Sequence, residues 1–275
     1  MKNTRNRLRN GAELNGYRIK RYLDRGGFSL IYLGSGRDGD VLIKEYFPLD
    51  IAVRSYDKIY PVSGCEREFG QWLTSFVREA QTLVKLSGID GIVPMCDFFE
   101  ANGTAYIVTA YKESATFSDY IDDSGGKLSA EEALLVVKPL FDTLSEVHER
   151  GVLHLDVSPD NILIDSELRP YLIDFGTAGM SDSVRSESLN DGYSAPEMYS
   201  SHFPPTVRSD VYSLAAVIYR AVTGFRPPSA PERARGHALA VIPESLEIPL
   251  CSALSLSPAR RPSDIRAFRK SLYGE

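Results

Sequence analysis

The chain has few cysteines and no long apolar run, and each shortage excludes a class of protein. Its 275 residues include three cysteines, an odd number without metal-ligand spacing, so we predict a reducing compartment rather than a disulfide framework. The most apolar stretch, Val211 to Val222, is interrupted by Arg220 and is well short of the roughly 20 residues that a membrane helix needs. We therefore expect a cytoplasmic protein without a membrane span.

The sequence also lacks an excess of positive charge. It has 31 Lys and Arg against 37 Asp and Glu, a net charge of −6, which argues against a general nucleic-acid-binding protein. Four of the first ten residues are basic, but no apolar segment follows them, so they do not form a signal peptide. We predict that residues 1–16 form a flexible, solvated tail. The remaining sequence, without repeats or low-complexity linkers, is typical of a globular protein.

The first 110 residues predict a small sheet that carries one helix. Short runs rich in β-branched and aromatic residues alternate with glycine-containing turns and indicate five antiparallel strands. The last two strands join at Asn102-Gly103, a strong hairpin signal. Apolar residues at helical spacing between Phe69 and Val84 predict a helix that ends at Gly88. The predicted strands are 17–23, 29–33, 40–46, 95–100 and 105–110.

Beyond residue 110 the pattern is mainly helical. Ser129 and Glu132 form a capping box before an apolar stripe, and His148 near the end of that helix is predicted to act on the helix dipole. Two short runs, 162–164 and 171–173, predict a small hairpin. The chain is thus an α+β protein with a tail, a β-rich lobe and, after a crossing segment at 111–118, a helical lobe: residues 1–16, 17–110 and 111–275.

Two charged residues are predicted to meet in the first lobe. Lys44 lies on the same strand face as Leu42, so its ammonium points into an apolar layer unless an anion is there. A lone strand lysine is otherwise typical of a snorkelling surface residue. Glu79 projects from the apolar side of the helix, where a carboxylate is costly unless paired. The pair is either an ordinary buried ion pair or part of a phosphate clamp.

The turn Gly26-Gly27 lies between the first two predicted strands. Small residues at such a turn let backbone N–H groups approach phosphate oxygens closely. A plain hairpin turn has the same composition, so the turn alone does not decide between the two.

The strongest candidates for catalytic and metal-binding side chains lie in the segment from His154 to Asn161 and at Asp174, after the small hairpin. The hairpin starts after Asn161 and ends before Asp174, so antiparallel pairing brings both side chains to its open end. Their oxygens suit Mg²⁺, which also takes substrate phosphates. Asp156 faces this site and is placed to accept a hydroxyl proton. Taken singly, each acid is typical of a turn or a cap; as an ordered set they are not.

In this order the residues resemble the eukaryotic-type (Hanks-type) protein kinases, over nearly the whole chain and most like the bacterial serine/threonine kinases. That family has a glycine-rich loop, a strand lysine, a helix glutamate, a catalytic loop, D-F-G and A-P-E. The matching residues are Gly26/Gly27, Lys44, Glu79, His154-Leu155-Asp156 with Asn161, Asp174-Phe175-Gly176 and Ala195-Pro196-Glu197. Asp210 matches the aspartate that braces the catalytic loop, and Arg261 the arginine that pairs with Glu197.

The resemblance implies a bilobal protein-kinase fold and phosphoryl transfer from ATP, with Mg²⁺ or alternatively Mn²⁺, to serine or threonine hydroxyls of a protein substrate. It implies that Lys44 holds phosphates, that Asn161 and Asp174 bind the metal, and that Asp156 orients the substrate hydroxyl. The implied catalytic residues are Asp156, Lys44, Glu79, Asn161 and Asp174. The implied ATP-binding residues are Leu23, Gly26, Gly27, Phe28, Ile31, Leu42, Lys44, Thr109, Ala110, Tyr111 and Leu163.

Several positions depart from the family pattern and keep an alternative open. Asp24 and Ser29 replace two loop glycines, and an acid at position 24 is expected to loosen nucleotide binding. Leu42 replaces a smaller alanine and narrows the adenine pocket. Ser158 and Asn190 stand where a lysine and a threonine are usual, and we expect them to be neighbours and to lower the rate. These departures favour a pseudokinase that acts as a nucleotide- or partner-binding scaffold; the intact catalytic set opposes it.

A further departure concerns regulation. Leu155 replaces the arginine that normally grips a phosphorylated activation loop, so we expect activity, including autophosphorylation, without loop phosphorylation. Alanine at Ser181, Ser183, Ser186 and Ser188 together is then expected to leave the initial activity intact. A third interpretation, transfer of a nucleotidyl group on a kinase fold, differs in the mass of the product.

Overall fold

The computed structural model describes residues 6–178, 189–200 and 203–274, and it divides into two compact units. The N-terminal unit comprises the residues up to Ser87 together with Val93–Lys112. The C-terminal unit comprises Gly88–Ile92 and the residues from Glu113 onward. The four activation-loop serines named above lie outside the described residues. The division after Lys112 falls within the predicted crossing segment.

The short segment Gly88–Ile92 belongs to the C-terminal unit, although the sequence pattern places it in the first lobe. The Leu172 amide donates to the Gly91 carbonyl at 2.8 Å, and the Thr143 hydroxyl donates to the Asp90 carbonyl at 2.9 Å. A Cβ on Gly91, whose φ is +81°, would lie 2.2 Å from the Thr143 oxygen. Glycine is therefore required where this segment packs closely against a helix.

The N-terminal unit is built on a six-stranded antiparallel sheet in the order β1-β2-β3-β4-β8-β7. The five predicted strands are all present, as β2, β3, β4, β7 and β8. A separate two-stranded hairpin, β5–β6, was not signalled by the sequence. The strands are β1 (Glu13–Leu14), β2 (Tyr17–Arg25), β3 (Ser29–Gly36), β4 (Gly39–Tyr46), β5 (Ala52–Ser55), β6 (Lys58–Pro61), β7 (Met95–Ala101) and β8 (Thr104–Ala110).

Residues 6–14 pack on the sheet, so the expectation of a solvated tail is wrong for them. Leu8 and Leu14 are buried, β1 pairs with β2, and the Leu8 amide donates to the Tyr32 hydroxyl at 3.2 Å. Burial of the two leucines favours packing of this segment on the sheet. The basic residues do not prevent it, because long basic side chains can keep their charged ends in water.

The sheet is covered on both faces. Helix α1 (Glu66–Lys85) packs on one face, where Tyr46 of β4 contacts Phe69 with ring centroids 5.0 Å apart. Neighbouring residues of a strand point to opposite faces, so Glu45 lies on the other face, beneath the N-terminal segment and β5. Strand β4 therefore directs Lys44 toward α1 and Glu45 away from it.

A buried polar network surrounds Glu45, whose side chain is inaccessible to solvent. Its carboxylate accepts hydrogen bonds from the hydroxyls of Tyr32 and Tyr106, at 3.0 and 2.8 Å, and from Arg54. Arg54 Nε also donates to the Asn6 carbonyl at 3.0 Å. Burial raises the pKa of Glu45, and the charge of Arg54 with the donated hydrogen bonds opposes that rise. The network ties β3, β4, β5, β8 and the N-terminal segment together.

The C-terminal unit is mainly helical. Its small sheet, in the order β11-β10-β9, contains the predicted hairpin as β10 and β11, and α3 begins with the predicted capping box at Ser129. Nearly every side chain of α4 is buried, so this helix forms the centre of the unit. The elements are β9 (Ser114–Thr116), α2 (Phe117–Asp123), α3 (Ala130–Glu149), β10 (Ile162–Asp165), β11 (Pro170–Leu172), α4 (Val207–Thr223), α5 (Ala230–Ala234), α6 (Glu244–Ala253) and α7 (Ile265–Tyr273).

None of these helices, within the described ranges, is both long and apolar enough to cross a bilayer.

Candidate active site

The predicted ion pair forms in the N-terminal unit. Lys44 Nζ lies 2.8 and 3.0 Å from the two carboxylate oxygens of Glu79. The lysine side chain is 17% exposed and the glutamate side chain 7%. Strand β4 presents the ammonium, and α1 brings the carboxylate across the sheet face. The pair thus fixes a cationic group that retains access to solvent.

Three predicted ATP-binding residues, Ile31, Leu42 and Thr109, share one face of the sheet with Lys44. Ile31 is directly opposite Lys44 in the β3–β4 ladder, and Leu42 is directly opposite Thr109 in the β4–β8 ladder. Directly opposite residues of an antiparallel pair lie on the same face. Leu23, Ile31, Leu42, Thr109, Ala110 and Tyr111 are all half-buried.

Asp24 lies on this face too. It is opposite Ile31 in the β2–β3 ladder, after a register shift between Tyr22 and Asp24, and it is exposed. The first departure from the glycine pattern therefore places a carboxylate on the side of the sheet that carries Lys44.

The glycine turn between β2 and β3 is tight. The Gly26 amide donates to the Ser29 carbonyl at 2.9 Å, and a Cβ on Gly26 would lie 2.8 Å from the Ser29 hydroxyl oxygen. Gly27 has open space around it. The ring of Phe28, predicted to contact nucleotide, packs against Trp72 of α1 with centroids 4.3 Å apart.

In the C-terminal unit the hairpin brings Asn161 and Asp174 to its open end, where the Ile173 amide donates to the Asn161 carbonyl at 3.0 Å. Asn161 Nδ2 donates to the Asp156 carbonyl at 2.9 Å and to Asp156 Oδ2 at 2.8 Å. These two bonds fix the orientation of the amide, so its oxygen is the atom left to accept from a ligand. Leu163, a predicted ATP-binding residue, lies half-buried in β10.

A second amide holds the other oxygen of Asp156. Asn190 Nδ2 donates to Asp156 Oδ1 at 3.1 Å, and Asn190 is itself held in a turn in which the Ser194 amide donates to its carbonyl at 2.8 Å. Ser158 is fully buried, and its hydroxyl has no hydrogen-bond partner among the described residues. Asn190 therefore acts on Asp156 directly. No hydrogen bond joins it to Ser158, and the proximity of these two residues stays a prediction.

The environment of Asp156 raises the pKa of its carboxyl group above the ordinary value of an aspartate. Burial raises the pKa of this carboxyl to about 7; hydrogen bonds from Asn190 and Asn161 oppose the rise, and the charge of Asp174 adds to it. A carboxylate whose pKa lies near neutrality is suited to accept a proton during a reaction at that pH.

The backbone before Asp156 is braced by Asp210 at the start of α4. The Asp210 carboxylate accepts from the amides of His154 and Leu155 at 2.9 and 2.8 Å. Leu155 has φ +65°, a conformation that costs free energy in a residue with a Cβ and persists where surrounding contacts hold it. Asp210 also lies 2.7 Å from His148 Nε2, so His148 contacts the brace instead of acting only on the end of its helix.

His154 completes the brace on the other side of the loop. It is fully buried, its Nε2 lies 3.2 Å from the Ile173 carbonyl, and its ring packs on Phe175 with centroids 4.6 Å apart. Because Ile173 precedes Asp174, this contact links the catalytic loop to the residue predicted to bind metal.

The predicted pair of Glu197 and Arg261 also forms, with Arg261 donating to both carboxylate oxygens at 2.8 and 2.9 Å. Both side chains are almost inaccessible. Burial acts to raise the pKa of Glu197, but hydrogen bonds and charge from Arg261 outweigh it and leave the pKa below its ordinary value. Arg261 Nη1 also donates to the Arg208 carbonyl, so the pair joins the A-P-E segment to the first turn of α4.

Sequence patterns missed two contributors to these sites. Trp72 lies two helical turns before Glu79, and its spacing places it on the apolar face of the helix. Nothing in the sequence indicates that it packs against the glycine turn. Arg54, which holds Glu45 behind Lys44, lies in a hairpin of two four-residue strands, too short for a reliable pattern.

Comparison with known proteins matches the arrangement to one family. The sequence profile of the protein kinase domain matches residues 52–264. The solved structure named PpkA-294 apo form aligns with a TM-score of 0.84 and 28% identity, over 97% of this chain and 99% of that one. The chain belongs to the protein kinase family and has its fold, which confirms both predictions.

Two curated relatives refine the place within the family. The serine/threonine-protein kinase PknH of Mycobacterium bovis is 29% identical over 242 residues, which are 85% of this chain and 38% of that protein. The serine/threonine-protein kinase PknE of Mycobacterium tuberculosis is 29% identical over 227 residues, 80% of this chain and 37% of the relative. This chain thus spans less than two fifths of either relative, and it is similar to these bacterial serine/threonine kinases over most of its own length.

Proposed function

We propose that this protein transfers the γ-phosphoryl group of ATP to serine or threonine hydroxyls of protein substrates and of its own chain. The observation that carries the proposal is the Asp156 carboxylate held between the amides of Asn161 and Asn190 at the open end of the hairpin. Family membership and the names of the relatives support the substrate class.

The residues present fit Mg²⁺, or alternatively Mn²⁺, bound together with a nucleotide. Among the described residues there is no group of three or more His, Cys, Asp or Glu side chains that could hold a metal alone. Mg²⁺ is usually bound by one or two protein oxygens together with substrate phosphates. The Asp174 carboxylate and the Asn161 amide oxygen supply that number, and the ion would neutralise charge on the phosphates.

Side chains and backbone amides of the protein bind the phosphates and orient the substrate hydroxyl. Lys44, fixed by Glu79, supplies positive charge for phosphate oxygens, and Gly27, which has open space around it, supplies a backbone amide donor. Asp156 orients the incoming hydroxyl and accepts its proton, a task for which its raised pKa and its two amide donors suit it. Phosphoryl transfer depends mainly on positioning and charge stabilisation, and these side chains provide both.

Loop phosphorylation is not required in this proposal. Leu155 stands where a guanidinium would receive the phosphate, and its backbone amide donates to the Asp210 carboxylate at 2.8 Å. The catalytic loop is therefore braced by contacts within the C-terminal unit that are independent of modification.

Intact-protein mass after incubation with ATP and Mg²⁺ tests the proposal. We expect added phosphoryl units on the wild type and none on Asp174→Asn, and peptide mapping is expected to find them on serine or threonine. Glu167→Gln is the matched control, because Glu167 is an exposed carboxylate in the turn of the same hairpin; it is expected to behave as the wild type.

Two results would contradict the proposal. Phosphoryl transfer that survives Asp174→Asn would place the reaction elsewhere or in a contaminant. A wild type that modifies neither itself nor a mixture of foreign proteins would favour the scaffold role, and a mass gain equal to a nucleotidyl group would indicate a different transfer.

A further inference from the structure

The tip of the glycine turn is anchored at two points in the N-terminal unit. The Phe28 carbonyl accepts from the Phe47 amide at 2.8 Å, three residues beyond Lys44 on the same run of chain. The Phe28 ring lies on the indole of Trp72, with centroids 4.3 Å apart and planes inclined by 46°. Both rings are half-buried and pack against the core of the unit. The turn is therefore held by a side chain as well as by its backbone.

Trp72 and Glu79 lie on the same side of α1. Seven residues make two turns of helix, about 10.5 Å along the axis, and both side chains contact groups of the sheet: Trp72 the tip of the turn, Glu79 the ammonium of Lys44. One rigid helix thus holds both elements that the proposed function assigns to the phosphates. A displacement of α1 moves the turn and Lys44 together.

We propose that Trp72 is a positioning residue for the nucleotide, acting through Phe28 to set the position of the glycine turn relative to Lys44. The proposal deepens the proposed function and rests on it. It also gives Phe28 a role other than the direct nucleotide contact that the family pattern implies. Since Asp24 and Ser29 replace two of the usual glycines, an aromatic contact from α1 supplies order to a turn that lacks part of the usual pattern.

The sole tryptophan of the chain makes the contact measurable. Titration of the wild type with Mg²⁺ and ADP is expected to change the emission of Trp72 with the same midpoint as the dissociation constant from calorimetry. Phe28→Leu is expected to weaken binding about fivefold, about 1 kcal/mol for an aromatic pair, and to abolish most of the emission change.

A double-mutant comparison separates positioning from packing. Trp72→Leu is expected to weaken ADP binding as much as Phe28→Leu, and the double variant no more than either, because both changes remove one interaction. Trp72→Phe is expected to restore most of the affinity. Phe99→Leu is the control: Phe99 is a half-buried aromatic residue of the same unit, stacked on Tyr106 and remote in sequence from the turn, and its loss should lower the melting temperature without changing the dissociation constant.

Three outcomes would overturn the inference. Unchanged affinity in Phe28→Leu and Trp72→Leu, with a lower melting temperature, would reduce the contact to core packing. Additive losses in the double variant would show that the two residues act separately. A wild type that binds no nucleotide in calorimetry would overturn this inference and the proposed function together, whereas the first two outcomes leave phosphoryl transfer by the wild type intact.

Discussion

The two units hold their functional side chains by different means. In the N-terminal unit Lys44 is fixed by a charged partner, and both side chains keep some exposure to water. In the C-terminal unit Asp156 is fixed by neutral amides, and the loop that carries it is braced by Asp210, which has no exposed surface. A partly solvated group whose partner is removed can be stabilised by water, whereas a fully buried one cannot. Substitutions at the site should therefore lower activity with little loss of stability in the first unit, whereas in the second unit they should lower both.

The largest effect is expected from Asp210→Ala. The change leaves the buried amides of His154 and Leu155 without an acceptor, so the free energy of unfolding should fall by about 3–5 kcal/mol. The left-handed turn at Leu155 loses its support, and displacement of Asp156 should lower phosphoryl transfer by roughly 100-fold or more. Urea unfolding and initial rates measure the two quantities.

The control for Asp210→Ala is Asp142→Ala on the outer face of α3. Asp142 is 67% exposed and pairs with Arg269, so its loss should cost no more than about 1 kcal/mol. An Asp210→Ala protein that keeps full stability while losing activity would break the comparison between the units.

Glu79→Gln is expected to show the opposite balance. Loss of the carboxylate removes the ion pair that fixes Lys44, so kcat/KM should fall by roughly 10- to 100-fold. The free energy of unfolding should change by only about 1 kcal/mol, because the ammonium can reach water. Glu68→Gln, at an exposed position in the first turn of the same helix, serves as the control. A loss of stability as large as that in Asp210→Ala would show that the pair is structural.

The pH dependence of the free energy of unfolding tests the contribution of a buried ion pair in the C-terminal unit. The pKa of Glu197 is lowered in the folded state, so its stabilising contribution is fully present above the ordinary glutamate pKa and is lost as the pH falls through the lower folded value. Glu197→Gln should be less stable at pH 7 and should lose less of its remaining stability toward acid pH than the wild type. Chemical unfolding between pH 7 and pH 3 measures both slopes.

The control for this titration is Glu244→Gln, an exposed residue in the first turn of α6. It should reproduce the acid slope of the wild type. Parallel slopes for Glu197→Gln and the wild type would contradict the role given to the buried pair.

The smallest effect is expected from Asp24→Asn. Its carboxylate lies on the face of the sheet that carries Lys44 but is exposed, so removal of one negative charge should lower the KM for ATP by roughly two- to threefold at low salt and less at high salt. Asp38→Asn, the same change at another exposed aspartate, in the β3–β4 turn, should leave the KM unchanged. A higher KM in Asp24→Asn would mean that this carboxylate assists nucleotide binding.

Local patterns predicted the parts of the site that depend on short-range geometry. Strand alternation and helical spacing predicted the contact between Lys44 and Glu79, because each pattern fixes the face on which a residue lies. Hairpin closure predicted that Asn161 and Asp174 meet, since the chain returns on itself between them.

Contacts between segments distant in sequence were not predictable in this way. His148 and Asp210 are 62 residues apart, and only the packing of α3 on α4 brings them together. Leu8 and Leu14 are two apolar residues in a basic segment without periodicity, so the burial of residues 6–14 left no pattern to detect. Arg54 contacts Glu45 from the β5–β6 hairpin. The position of that hairpin on the sheet is not encoded in any local pattern.

The network around Glu45 limits how far this kinase domain can be shortened from its N-terminus. The family profile begins at residue 52 and the strand pattern at residue 17, yet the Asn6 carbonyl holds Arg54 and the Leu8 amide holds the Tyr32 hydroxyl. A fragment that starts at residue 17 removes both of these partners and opens the buried Glu45 carboxylate to water on the strand that carries Lys44. A fragment that starts at residue 52 lacks that strand altogether. A fragment that keeps this network intact therefore includes the residues from Asn6 onward, and shorter expression fragments should be judged by their thermal stability as well as by their yield.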